Sequence, residues 1–394
     1  MTTVPPLHGV LVIEVGAFMA APFATMQLAD LGARVVKIEP PGGGDPTRSA
    51  GPFLDGESSP FLRLNRNKES VVLDLKSDQG RAAFLALVDR ADVVVENLRP
   101  GAMDRLGLGY PELSARRPEI VYASASGWGQ DGAAAGRAGL DIMAQAASGL
   151  MSVTGAPDGD PVKVGVPVCD LVTALYVALA VTAALRERDR SGTGQHIDVS
   201  LLESGVSLAV WEAGMYFGDG EVAVRQGSAH QRYAPYQAIR TGDGHVTVGA
   251  NTPRLWSALC RALDLARLAV DPRFADAPDR LANREALVAR IEEVTTTMTA
   301  AQVLAALRAE GVPCAVIAGY DEVFTDPVLA DRDFFWEARH PDLGPVRQLG
   351  SPMRFSRTPV RRGDAGPPLG SGTADVLAEL RAPALHAPAP GSNR

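Results

Sequence analysis

Asp170 closes the stretch Lys163-Val-Gly-Val-Pro-Val-Cys-Asp170 and stands directly before the apolar run 171–185. A carboxylate at such a junction meets the free N–H groups and the dipole of a helix start, which stabilise its anion. Two readings are open on these residues. Asp170 is an N-cap, or it is a carboxylate nucleophile that attacks an acyl group and carries it as an anhydride or ester. No histidine lies between His8 and His196, so a histidine acid–base pair cannot be built within that stretch. No GxSxG elbow supports Ser/His/Asp hydrolysis. Cys169 has no histidine near it in sequence and reads as a small buried side chain.

Basic residues recur before residue 110: Arg34, Lys37, Arg48, Arg63, Arg66, Lys68, Lys76, Arg99 and Arg105. Several fall at strand ends or in loops, where open α/β sheets hold ligands, and together they are candidates for holding the phosphates of a large anion. Acidic residues are interleaved among them. Gly127-Trp-Gly-Gln-Asp-Gly132 matches GxGxxG. It is not at a first β-α turn, opens no long helix and has no acidic partner about 20 positions on, so it reads as a tight turn and not a dinucleotide site.

These residues must be carried by strands and helices. Strands are predicted over 10–14, 34–38, 71–73, 93–95, 120–123 and 196–200, with helices over 22–31, 79–89, 141–149 and from 171 to about 190. This alternation predicts an α/β fold, a Rossmann-like large domain with an open, mostly parallel sheet. A hairpin turning at Gly242-Asp-Gly244 and helices over 253–263, 284–297 and 300–310 predict a smaller α+β domain. The predicted boundaries are 1–215 for the large domain, 226–320 for the small one, 325–381 for a segment returning to the large one, and 382–394 for a disordered Pro/Ala-rich tail.

The 394 residues are 46% apolar and 21% charged, as in globular proteins. A net charge of −8 argues against a nucleic-acid partner. Three scattered cysteines without metal spacing imply a reducing compartment and no metal site. No signal-peptide pattern is present, and the run 171–185 reads as too short to span a bilayer. The expectation is a cytoplasmic protein without a membrane partner.

The order of several motifs resembles the family III CoA-transferases, the group of the formyl-CoA and carnitine CoA-transferases and the 2-methylacyl-CoA racemases. The resembling stretches include Leu7-His-Gly-Val-Leu-Val-Ile-Glu14, Leu31-Gly-Ala-Arg-Val-Val-Lys-Ile-Glu39, Asn65-Arg-Asn-Lys-Glu-Ser-Val-Val-Leu-Asp-Leu-Lys76, Glu96-Asn-Leu-Arg-Pro-Gly101, Gly139-Leu-Asp-Ile-Met-Ala-Gln145 and Asp271-Pro-Arg-Phe274. They run nearly end to end.

The resemblance implies an interlaced homodimer and a CoA-transferase acting on an acyl-CoA and a free carboxylic acid. It makes Asp170 the nucleophile, passing through an aspartyl anhydride and an aspartyl-CoA thioester. It places Met19 and Ala20 beside the pantetheine and thioester of coenzyme A. Leu73, Asp74, Leu75 and Lys76 fall at the adenine side. Asn97, Leu98 and Arg99, with Arg105, fall at the adenosine and phosphates, and Asp141 lies near the catalytic aspartate. The racemases carry Gly-His-Asp where this chain has Gly139-Leu140-Asp141. Leucine cannot be a proton acceptor, so transfer is expected over the alternative, an acyl-CoA racemase or isomerase. Formyl-CoA transferases have a glutamine at the Met19 position and a glycine run as a shielding loop where this chain has Val248-Gly-Ala-Asn-Thr252. The expectation is an acyl group larger or more apolar than oxalate or formate.

Overall fold

Six short runs rich in β-branched residues build one parallel sheet: β1 (Leu11–Val15), β2 (Arg34–Glu39), β3 (Lys68–Val72), β4 (Val93–Glu96), β5 (Val121–Ser126) and β6 (His196–Ser200). This is a computed structural model, and it describes residues 4–382. The strand order is β3-β2-β1-β4-β5-β6. Val12 of β1 pairs in parallel register with Val35 on one side and Val93 on the other. This is the doubly wound arrangement, and the order reverses between β1 and β4.

Alternation along each strand splits the core in two. Val12, Val35, Val93 and Val121 pack under α1 (Ala20–Asp30) and a long helix, Val168–Ser191. Ile13, Val36, Val71 and Val94 pack under the helices Asp78–Val88 and Thr373–Arg381. The helix Val168–Ser191 starts three residues before the predicted 171 and ends where predicted, at Gly192 with φ +74°. Its 24 residues are long and apolar enough to cross a membrane by length and composition alone, a test that core helices also pass. Thr173, Val177, Val181 and Leu185 nevertheless lie buried against the sheet.

The chain divides into two compact units. The first takes residues up to Leu150, then Val164–Val210, then those from Val328 on. The second takes Met151–Lys163 and Trp211–Pro327. Sequence reading puts 151–163 and 211–215 in the large domain. In the structure Gly155 O accepts from Gly227 N at 2.9 Å and Gln231 Nε2 donates to Glu212 Oε1 at 3.0 Å, tying both pieces to the second unit. That unit holds an antiparallel sheet of Tyr236–Arg240, His245–Gly249 and Cys314–Val316. The stretch 248–252 is the end of a strand followed by Thr252, which caps the helix Pro253–Ala262. Of the tail expected at 382–394, residues 383–394 lie outside the described residues.

Candidate active site

In open α/β sheets the natural cavity lies at the carboxyl ends of the strands beside the order reversal. Here that point is the turn from β1 into α1, facing Asn97 at the end of β4. Asn97 Nδ2 donates to Ala17 O at 2.9 Å, and Ala17 N donates to Asn97 Oδ1 at 2.9 Å. A Cβ on Gly16 would come within 2.7 Å of Ala21 Cβ and 2.9 Å of Asn97 Oδ1, so only glycine fits between them. Phe18 then adopts φ +62°, and its N–H donates to Asp45 Oδ1 at 3.3 Å.

Beneath this turn lies a buried ionic cluster. Lys37 Nζ bridges Glu14 Oε1 at 2.6 Å and Asp45 Oδ2 at 2.9 Å, and Lys68 Nζ reaches Glu14 Oε2 at 2.8 Å. Burial pushes Glu14 up, but the two ammonium groups outweigh it and hold the carboxyl at about 2. Burial lowers Lys68 to about 8. This corrects the picture of a basic cluster gathered for phosphate. Arg34 pairs with Glu69 and Glu379, Arg48 with Glu39, and Arg66 with Asp30, while Arg63 bonds to Ser59. Interleaved acids consume these cations inside the protein. Lys76, Arg99 and Arg105 are exposed and have no side-chain partner among the described residues.

A cavity of about 230 Å³ lies beside β1 and β2. Leu73, Asp74, Leu75, Lys76 and Leu98 line it, as do Ile38 and Leu106. Its wall is mostly apolar, with Lys76 among the lining residues. A second cavity of about 150 Å³ adjoins through Leu98. Met19, Ala20, Asn97, Arg99, Leu140 and Asp170 are among its lining residues. The structure thus brings nine of the eleven expected coenzyme A residues to two adjoining cavities. Arg105 and Asp141 line neither; Arg105 immediately precedes Leu106 of the slot.

Asp170 is not an N-cap. The helix Val168–Ser191 begins two residues earlier with Pro167 at the cap position, and no side chain of that residue caps it. The donors are served from elsewhere in the chain. Asp141 Oδ1 accepts from Cys169 N at 2.9 Å and from Asp170 N at 3.3 Å. Gln145, fully buried, donates to Asp141 Oδ2 at 2.6 Å and accepts from Val164 N at 2.8 Å. Sequence reasoning assigned no role to Gln145. Its signal was the i, i+4 spacing from Asp141 on the helix Asp141–Ala147.

The Asp170 carboxylate itself accepts no hydrogen bond among the described residues. Burial, and secondarily the charge of Asp141, raise it to about 7. An unpaired carboxylate in a cavity wall is free to attack a carbonyl once ionised. Cys169 is buried, and burial raises its thiol to about 11, so it stays protonated and inert at neutral pH. The GxGxxG turn is a narrow neck: a Cβ on Gly127 would lie 2.7 Å from Gly139 Cα. No helix follows it until Asp141.

Fold and site together define an α/β enzyme with its cavities at the carboxyl ends of a parallel sheet. Residues 7–373 match the profile of CoA-transferase family III; the chain belongs to that family and is a CoA-transferase. It is 38% identical to a succinyl-CoA:glutarate CoA-transferase of Mus musculus, over 95% of this chain and 86% of that protein. It is 38% identical to an acetyl-CoA:oxalate CoA-transferase of Acetobacter aceti, over 89% of each. Among solved structures, a CaiB/BaiF family protein from Brucella suis superposes with a TM-score of 0.86 at 36% identity, covering 95% of this chain and 99% of that one.

Proposed function

We propose that this enzyme moves coenzyme A from an acyl-CoA to a free carboxylic acid through covalent intermediates on Asp170. The observation that carries this reading is the unpaired carboxylate of Asp170 in a cavity that shares Leu98 with a mostly apolar cavity lined in part by Lys76. The slot suits an adenine ring. Lys76, Arg99 and Arg105 supply unengaged charge for phosphates. Met19 and Ala20 then border the thioester.

The steps balance without a net proton. Asp170 Oδ attacks the thioester carbonyl, the C–S bond breaks, and thiolate leaves behind an aspartyl mixed anhydride. Thiolate attacks the aspartyl carbonyl of that anhydride and releases the donor acid as its carboxylate. The acceptor carboxylate attacks the aspartyl thioester, expels thiolate and forms a second anhydride. Thiolate attacks the acceptor's carbonyl, giving the new acyl-CoA and free Asp170. The overall exchange replaces one thioester by another and one carboxylate by another, so it is near balance, while each anhydride lies above the thioesters on either side of it. Water must be excluded or the anhydride is lost.

The names of the relatives pair succinyl-CoA with glutarate and acetyl-CoA with oxalate; the free acid is dicarboxylic in both, and we place the acid substrate of this enzyme among dicarboxylic acids. Met19 and Leu140 in the cavity wall favour chains nearer glutarate than oxalate in length. Leu140 at the position of the racemase base offers no proton acceptor.

We also propose a homodimer. Leu175 and Leu179 of the long helix are 51% and 65% exposed, an apolar stripe that water alone covers poorly. Three cysteines without disulfides fit a reducing, cytoplasmic setting. The test is mass spectrometry after incubation with a panel of acyl-CoAs and hydroxylamine. Modified Asp170, together with a folded but inactive Asp170→Ala variant, supports the reading. Turnover in that variant would sink it. Light scattering reads the mass in solution.

A further inference from the structure

Arg137 stands in the wall of the Asp170 cavity. It lies on the segment 127–139, whose neck is pinched where Gly127 and Gly139 meet. The segment is held again just past Arg137, where Trp128 Nε1 donates to Ala138 O at 3.1 Å. The residue is therefore carried by an anchored loop. Its guanidinium has no hydrogen bond and no ion pair among the described residues, unlike Arg34, Arg48 and Arg66 of the same unit. The other cation of this wall is Arg99, which follows Leu98, the residue that lines both cavities. Arg137 is on a segment that lines the Asp170 cavity alone.

We propose that Arg137 is a specificity-determining residue that binds the distal carboxylate of a dicarboxylic acyl group while its reacting carbonyl faces Asp170. The proposal rests on the Asp170 reading above. Asp170 is itself an anion when it attacks, and a substrate ending in a second carboxylate brings like charge into a small cavity. A planar guanidinium offsets that charge and fixes the chain end through paired N–H donors. Met19, Leu140 and Leu201 supply apolar wall, which suits methylene groups. A monocarboxylic acyl group of equal length fills the same space and leaves the guanidinium in water.

The test uses the full-length enzyme with glutaryl-CoA and valeryl-CoA, which have equal acyl chain length. Loading of Asp170 is followed by hydroxylamine trapping and mass spectrometry. The wild type is expected to load glutaryl-CoA faster. Arg137→Gln is expected to lose about 100-fold with glutaryl-CoA and less than about 3-fold with valeryl-CoA; Arg137→Lys is expected to recover part of the loss. Retained loading by valeryl-CoA reports that the variant is folded. Equal loading of both acyl-CoAs by the wild type, or equal losses for both in Arg137→Gln, overturns the role of Arg137 and leaves Asp170 as nucleophile. No label on Asp170 from either acyl-CoA overturns the covalent reading, and Arg137 falls with it.

Discussion

Asp141 Oδ1 accepts the backbone N–H of Asp170 at 3.3 Å, so two carboxylates share the first turn of one helix while only one faces the cavity. Asp141 takes the donors that would otherwise hold Asp170. Its charge adds to burial in raising Asp170 to about 7. The attacking form is the anion, so loading of Asp170 is expected to rise with pH through about 7 and level off above it. In Asp141→Asn the amide oxygen keeps the cap but the like charge is gone. The midpoint of the loading profile is expected to fall by about one pH unit, with burial holding it above the ordinary range. An unmoved midpoint would show that Asp141 acts through geometry alone.

Raising Asp170 also has a cost in stability. Its folded value of about 7 lies above the ordinary 3.8. The contribution is fully favourable below about 4 and is lost as pH rises through about 7. Asp170→Asn removes that loss. Its stability relative to wild type is expected to grow between pH 5 and pH 8 by about 2 kcal/mol, a figure discounted for the partial exposure of the group. Urea denaturation at the two pH values measures the difference directly.

The two bonds between Asn97 and Ala17 make Asn97 a clamp on the turn. Asn97→Ala is expected to raise KM for acyl-CoA several-fold and to cost about 1–2 kcal/mol of stability. Steady-state kinetics with a fixed acceptor, and chemical denaturation, check the two effects.

Cations in this chain divide by partner, and the division is testable. Lys37→Met leaves Glu14 and Asp45 buried with one ammonium fewer and is expected to cost about 3–5 kcal/mol. Lys76→Ala and Arg99→Ala remove no partner. Each is expected to change stability by no more than about 0.5 kcal/mol and to raise KM for acyl-CoA more at low salt than at high salt. Thermal melts and kinetics at two ionic strengths separate the groups.

The sheet, α1 and the long helix were legible because β-branched runs and one apolar run announce them locally. The start of that helix was misread by three residues because the side chain that serves its first donors, Asp141, lies 29 positions before Asp170. The basic residues were misread for the same reason. Lys68 meets Glu14 across 54 positions and Arg34 meets Glu379 across 345, and no local pattern reveals such partners. Asp170 stood out in the sequence by its place before an apolar run, while the free state of its oxygens became visible only in three dimensions. Met151–Lys163 carries no composition break at its ends, and only its contacts in three dimensions group it with the second unit.

The outer edge of β3 is finished by the last described helix. Thr373 Oγ1 accepts from Val72 N across 301 positions, Gly372 N donates to Ser70 O, and Val376 joins the core beneath. On the ribosome, β3 therefore waits for its covering residues for about 15–60 s at ordinary elongation rates. Throughout that wait it presents an unpaired strand edge of the kind that recruits other nascent chains. The second unit, whose antiparallel sheet closes within residues 236–316, completes its pairing sooner. Translation speed and holding chaperones thus bear on the yield of this enzyme most strongly while residues 72–373 are being made.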